Sequence, residues 1–101
     1  MAVTSKILFR GACTTSTGTT LYTVPASTTT VISNIAVTNT SASAGTFTLA
    51  LGGTAIHTTT AIGANTTIYI DCKQTLTATQ TITGGASATS INYHISGVEI
   101  V

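Results

Sequence analysis

The sequence predicts an all-β fold: a single antiparallel β-sandwich or jelly-roll-like domain of about eight short strands. Three observations predict it. About a quarter of the 101 residues are Thr, and Thr, Val, Ile and Tyr suit a pleated sheet while losing side-chain freedom in a helix. The dominant pattern is alternation of apolar and polar residues with period two. Clusters of Gly, Ser, Ala and Asn break that alternation every 8–12 residues or roughly so, the spacing of a sandwich or barrel. One domain of this length buries about 65% of its unfolded surface, enough for one modest core.

The elements follow in order. Residues 6–10 form a short candidate strand, and 12–18 a polar loop. Residues 19–24 read as a strand that Pro25 ends, because Pro has no N–H to give to a ladder. Residues 29–40 form the longest candidate, with Val31, Ser33, Ile35 and Val37 on one face and Ile32, Asn34, Ala36 and Thr38 on the other. Residues 46–51 alternate cleanly, Phe47, Leu49 and Leu51 pointing inward. Gly52-Gly53 is a two-residue hairpin signal, and 54–58 is its return strand. A turn over 61–65 leads to 66–71, with Ile68 and Ile70 opposite Tyr69. Residues 76–83 alternate again, with Leu76, Ala78 and Ile82 in register, and 84–90 read as a flexible turn. The last strand begins near Ser90. Its apolar residues change face between Ile91/Tyr93/Ile95 and Val98/Ile100, and one extra residue at Ser96-Gly97 would restore the register, so a bulge or kink is predicted there.

Charge is nearly absent. Lys6, Arg10, Asp71, Lys73 and Glu99 are the whole set, 5% of the chain, with net charge +1. A soluble monomer carries roughly 25–35% charged residues on its surface. The surface must therefore be coated with hydroxyls or covered by partners. Nucleic acid is excluded as a ligand, since phosphate binding needs several cations on one face. No apolar run reaches the ~18 residues of a transmembrane helix, and the first nine residues lack the pattern of a signal peptide. The expectation is a protein folded where it is made, with Cys13 and Cys72 as free thiols.

Catalytic patterns are missing. His57 and His94 stand alone in their segments, with no metal-ligand spacing. Two acids give no argument for a carboxylate pair, and no Ser sits in a nucleophile elbow. Gly52-Gly53 and Gly84-Gly85 lack the Lys and helix of a phosphate loop. No enzyme activity, metal or other cofactor is expected. Asn39-Thr40-Ser41 and Asn65-Thr66-Thr67 match a glycosylation acceptor, which has meaning only in a secreted chain. The T-x-T run at Thr75, Thr77, Thr79, Thr81 and Thr83 has the local look of an ice-binding ladder, but the chain has no fixed repeat. It is read as the polar outer face of one strand.

The order of segments is itself informative. Leu21-Tyr22-Thr23-Val24-Pro25-Ala26 leads into the strand at 29–37. Val37-Thr38-Asn39-Thr40-Ser41 and Thr46-Phe47-Thr48-Leu49-Ala50-Leu51 follow, and the chain closes on Tyr93-His94-Ile95-Ser96-Gly97-Val98-Glu99-Ile100. From Thr19 onward this resembles the small virion proteins of tailed bacteriophages, a group that includes capsid decoration or cement proteins and small tail components. The resemblance implies a compact sandwich or jelly-roll-like subunit, located on a virion assembled in the host cytoplasm. It implies binding to the major capsid protein or other virion subunits, and assembly of its own copies, with a trimer favoured. Low charge suits that work, because interface cores are depleted of charged residues. The alternative is a tail, neck or fibre component, a carbohydrate-binding sandwich for host attachment.

Six residues are candidates for the interface. Residues 1–12 form an N-terminal arm or an edge strand outside a sandwich domain at 13–101, and the arm would reach a neighbour through Lys6, Phe9 and Arg10. Tyr22 and Tyr69 are the aromatics available for exposed stacking. His94, opposite the apolar Ile91/Tyr93/Ile95 face, is the candidate for a histidine ring about an oligomer axis.

Overall fold

The computed structural model describes residues 2–70 and 73–101. Among these residues the chain forms nine strands and no helix. They are β1 (Val3–Ala12), β2 (Thr20–Thr23), β3 (Thr29–Asn39), β4 (Gly45–Leu51), β5 (Thr54–Ile62), β6 (Thr66–Ile70), β7 (Thr75–Leu76), β8 (Thr81–Ala86) and β9 (Ile91–Ile100). Two antiparallel sheets make a sandwich. The larger runs β1-β9-β3-β6, with β7 also on β3, and the smaller runs β2-β8-β4-β5.

With β7 set aside, the pairing is first strand with last, second with next-to-last, and so on inward to β4 with β5. That is one long hairpin rolled around a core, the jelly-roll-like arrangement. Its tip is Gly52-Gly53, where Leu51 pairs Thr54 and both glycines have positive φ, 59° and 83°. A two-residue turn with φ > 0 at both positions matches the twist of the strands it joins. At the other extreme of the hairpin Ala2 and Val101 exchange backbone hydrogen bonds of 3.2 and 2.9 Å.

The core lies between the sheets. Ile32, Ile35 and Val37 of β3 and Ile91, Tyr93 and Ile95 of β9 meet Phe47 and Leu49 of β4 and Ile82 of β8, all essentially inaccessible to solvent. Burying each such side chain contributes roughly 1.5–3 kcal/mol. Tyr93 stands edge-on to Phe47, with centroids 6.3 Å apart and planes at 79°, a favoured aromatic geometry. Its hydroxyl donates to the Thr48 carbonyl at 2.6 Å, with the Gly85 carbonyl 3.2 Å away. Asn39 is the polar counterpart. It is buried, donates to the Ser43 and Gly63 carbonyls, and accepts from Ser41 N–H and the Ser90 hydroxyl. It joins three loops at one end of the sandwich, and its burial closes the first glycosylation match.

Several expectations need correction. The bulge at Ser96-Gly97 is not in β9. Both neighbours bulge opposite it instead: β1 carries an extra residue at Leu8, between Ile7 and Phe9, and β3 carries one at Ser33, between Ile32 and Asn34. The faces of β3 therefore switch at Ser33. Ile32 points inward and Val31 outward, while Ile35 and Val37 point inward beyond the bulge. With β9 unbulged, Val98 and Ile100 stay on its outer side.

The Thr run at 75–83 is not one strand. Thr75 pairs with β3 in the larger sheet, and Thr81 and Thr83 pair with β2 in the smaller. Between them the chain turns at Thr79 (φ 70°), where the Gln80 side chain accepts from Thr77 N–H at 2.8 Å. Leu76 and Ile82 both reach the core, and the turn carries the chain from one layer to the other. Residues 84–86 are not a loop but buried strand, the end of β8. There the loop at 14–19 lies along the strand edge, with Gly84 N–H donating to Thr19 O and Ala86 N–H to Thr14 O. A Cβ on Gly85 would stand 2.2 Å from Ser16 O, so this close approach requires glycine.

Candidate interaction faces

Strand register sorts the candidate residues into two groups. The first faces inward at one end of the sandwich. Glu99 of β9 lies opposite Thr4 on β1 and Thr30 on β3. Its carboxylate accepts from the Tyr22 hydroxyl and from Lys6 Nζ at 3.3 Å, and Tyr22 also bonds Thr30 Oγ1 at 2.8 Å. This cluster closes the gap between β2 of one sheet and β1, β3 and β9 of the other. Tyr22 is thus a half-buried, hydrogen-bonded residue and not an exposed aromatic. Phe9 is half-buried too and packs on the core, because the bulge at Leu8 turns both residues inward. β1 as a whole pairs along β9 at the edge of the larger sheet.

The Tyr22 hydrogen bond, with help from Lys6, holds the Glu99 carboxyl below its ordinary value of 4.5. Burial, then the adjacent carboxylate, raises Tyr22. A carboxyl whose pKa is lower folded than unfolded adds stability above the unfolded pKa, and that stability is lost as pH falls through the folded one. Glu99→Gln should therefore cost about 1 kcal/mol at neutral pH, the difference between a charged and a neutral hydrogen bond. Lys6, half exposed, adds little. Thermal melts between pH 7 and pH 3 check this: the gap from wild type should close below pH 4.5. A pH-independent gap would assign the loss to packing.

The second group faces outward. Arg10 lies opposite His94, His94 opposite Ala36, and Ala36 opposite Tyr69. This single row crosses the larger sheet from β1 to β6. Arg10 and His94 are exposed, and Tyr69 is 73% exposed. Toward the other end of the same face the residues are aliphatic. Val3 lies opposite Ile100, Val98 opposite Val31, and Ile7 beside Ser96. Val3 and Ile7 are 63% and 51% exposed. At the paired bulges, residues 5–7, Ser33 and residues 96–98, Lys6 among them, line an open hollow of about 460 Å³.

The smaller sheet is different. Its strands β2, β4, β5 and β8 contain no Asp, Glu, Lys or Arg. Because Phe47, Leu49 and Leu51 point inward, Thr46, Thr48 and Ala50 point out. Thr20, Thr83, Ala50 and Ala55 form one row across this face, and Gly85 and Thr48 lie side by side in the next.

No family model matches the chain, and none of the curated proteins is similar to it.

The remaining reactive groups are accounted for locally. Cys13 is a buried free thiol beside the Tyr93 hydroxyl, pushed up to about 11 by burial, and a thiol that stays protonated is a poor nucleophile. Cys72 and its sequence neighbour Asp71 lie outside the described residues. His57 bonds Thr60 Oγ1 at 3.1 Å and packs on Phe47. Among the described residues no three His, Cys, Asp or Glu side chains come together. The outward row and the uncharged sheet could not be read from local patterns, because both are products of cross-strand register. The segments of β2, β4 and β5 do lie within one run of 60 residues without formal charge, 11–70, a signal that composition alone averages away.

Proposed function

We propose that this chain is a non-enzymatic structural subunit of a tailed-bacteriophage virion, a decoration or cement protein that binds the major capsid shell and stabilises it. The carrying observation is the smaller sheet. A whole layer without formal charge, faced by Thr and Ala, is poorly suited to interact with ions or nucleic acid. It is well suited to close packing, since small side chains and few charges keep the desolvation cost of an interface low. The rolled-hairpin order adds support by analogy, because jelly rolls recur in viral capsid and lectin domains. In this reading the smaller sheet lies against the shell, and the protein also associates with its own copies.

Particles stripped of the protein and then reloaded test the reading. Reloaded heads should withstand a higher temperature before releasing DNA than stripped heads. Ala50→Lys should abolish that gain by burying an unpaired charge in the contact. Equal stability with and without the protein overturns a cement role.

The outward row favours a second reading. Tyr69, with Arg10 and His94 in the same row, is the exposed aromatic that a carbohydrate-binding tail or fibre component would use. Labelling the protein on the virion separates the two, since a tail-tip location replaces the first reading with the second.

A further inference from the structure

The outer face of the larger sheet is unpartnered, aliphatic at one end and crossed nearer the other by the row from Arg10 to Tyr69, and its layout is self-complementary. We infer that two copies of this chain pack through this face about a two-fold axis that runs parallel to the strands between β9 and β3, with Arg10 of each copy on Tyr69 of the other. The inference does not depend on shell binding, which uses the opposite sheet.

Charge narrows the choice of partner. Lys6 and Glu99 pair with each other on the inner side of the sheet, at the aliphatic end. Lys6 also borders the hollow beside Ile7, but its charge is already matched by Glu99, so the surface formed by Val3, Ile7, Val31, Val98 and Ile100 offers no unmatched formal charge to an acidic or basic partner. Arg10 is the one formal charge on the outward rows described above. A second copy presents an equally neutral aliphatic surface.

Symmetry then selects the arrangement. An isologous contact places each residue against the symmetry mate of its counterpart. An axis across the strands would set the aliphatic end against the Arg10 row. An axis along the strands keeps rows aligned and reverses strand order, so that β1 lies over β6 and β9 over β3 of the other copy. Val98 then meets Val31, His94 meets Ala36, and Arg10 meets Tyr69, an exposed cation over an exposed aromatic ring. This arrangement keeps the two Arg10 side chains apart. Aligned sheet packing of this kind is ordinary for sandwich layers.

Area is sufficient. The 10, 11 and 10 residues of β1, β3 and β9, with the five of β6 and two of β7 sharing the fourth position, at ~3.4 Å per residue and ~4.8 Å between strands, give a face of about 600 Å², at the lower end of the ~600–1,000 Å² per partner of standard interfaces. The hollow between Ile7, Ser33 and Ser96 gives the interface a recess beside the Ile7 side chain.

Sedimentation of the purified chain in the absence of shells tests this. Wild type should sediment as a dimer. Ile7→Lys should weaken association by about 100-fold or more, since it buries an unpaired charge. Ile7→Thr, which keeps a β-branched residue at this exposed position, should weaken it less and retain the wild-type melt. Arg10→Ala and Tyr69→Ala should each weaken association by about threefold to fivefold, and the double variant no further than either alone. A monomer at every concentration, a trimer, or a dimer indifferent to Ile7→Lys and Ile7→Thr overturns the inference. Failure here leaves the shell-reloading experiment unaffected, because that experiment reads the opposite sheet.

Discussion

Tyr93→Ala should remove about 3–5 kcal/mol of stability, as large aromatic truncations in a packed core do. Tyr93 is fully buried in β9 and meets Phe47 edge-on. Its hydroxyl also satisfies carbonyls on two strands of the opposite sheet. Truncation therefore empties the centre of the sandwich and leaves the Thr48 carbonyl without that donor. Against a total of about 5–15 kcal/mol for a domain, the loss takes the protein close to unfolding. Tyr93→Phe separates the two contributions, since it keeps the ring and should cost only ~1 kcal/mol. Denaturant unfolding measures both. A Tyr93→Ala loss no larger than that of Tyr93→Phe would contradict the packing account.

Gly97→Ala should cost about 3 kcal/mol or more, near the upper end for overpacking. The sign is informative. Replacing a strand glycine by alanine ordinarily stabilises by a fraction of a kcal/mol, because the unfolded chain loses freedom. Here a Cβ would stand 2.4 Å from the Val31 carbonyl oxygen and 3.2 Å from Ile32 Cα. Those are backbone atoms of β3 and cannot rotate aside. To admit the methyl, β3 and β9 must separate at the level where β1 and β3 both bulge. Gly97 does not have a positive φ, so space alone decides. Equilibrium unfolding of Gly97→Ala checks the prediction, and a neutral or stabilised variant would refute it.

Both effects concern β9, a strand whose irregularity is only half legible in the sequence. The change of face after Ile95 was visible in the sequence, and it correctly marked an irregularity. It could not show which strand bends, because a bulge is a property of a pair. The two neighbours absorb the extra residues at Leu8 and Ser33, so Val98 and Ile100 remain outside and contribute to the aliphatic surface. β4 was fully legible, since Phe47, Leu49 and Leu51 alternate without interruption up to a glycine turn. The Thr run at 75–83 misled for the opposite reason: its alternation continues through a turn that the Gln80 side chain stabilises. Gly84 and Gly85 looked like a loop because their role, admitting the segment around Ser16, belongs to tertiary structure.

The interface candidates divide along the same line. Arg10, Tyr69 and His94 lie far apart in the sequence and share one row of the sheet. Tyr22 has the sequence look of an exposed ring, but its partner Glu99 lies 77 positions away. No local pattern carries a contact of that separation.

The rolled hairpin also orders the events of folding. Closing a loop costs more entropy as it lengthens, and the ladders here have steeply graded spans. β4 and β5 join across two residues, whereas β1 must find β9 across nearly the whole chain. Once the Gly52-Gly53 tip has formed, each inner ladder shortens the loop that the next one has to close. Zippering outward from the tip is therefore the least costly route. On a ribosome β1 emerges before the other eight strands and waits longest for its partner, so the earliest of the nine is the last to find its place.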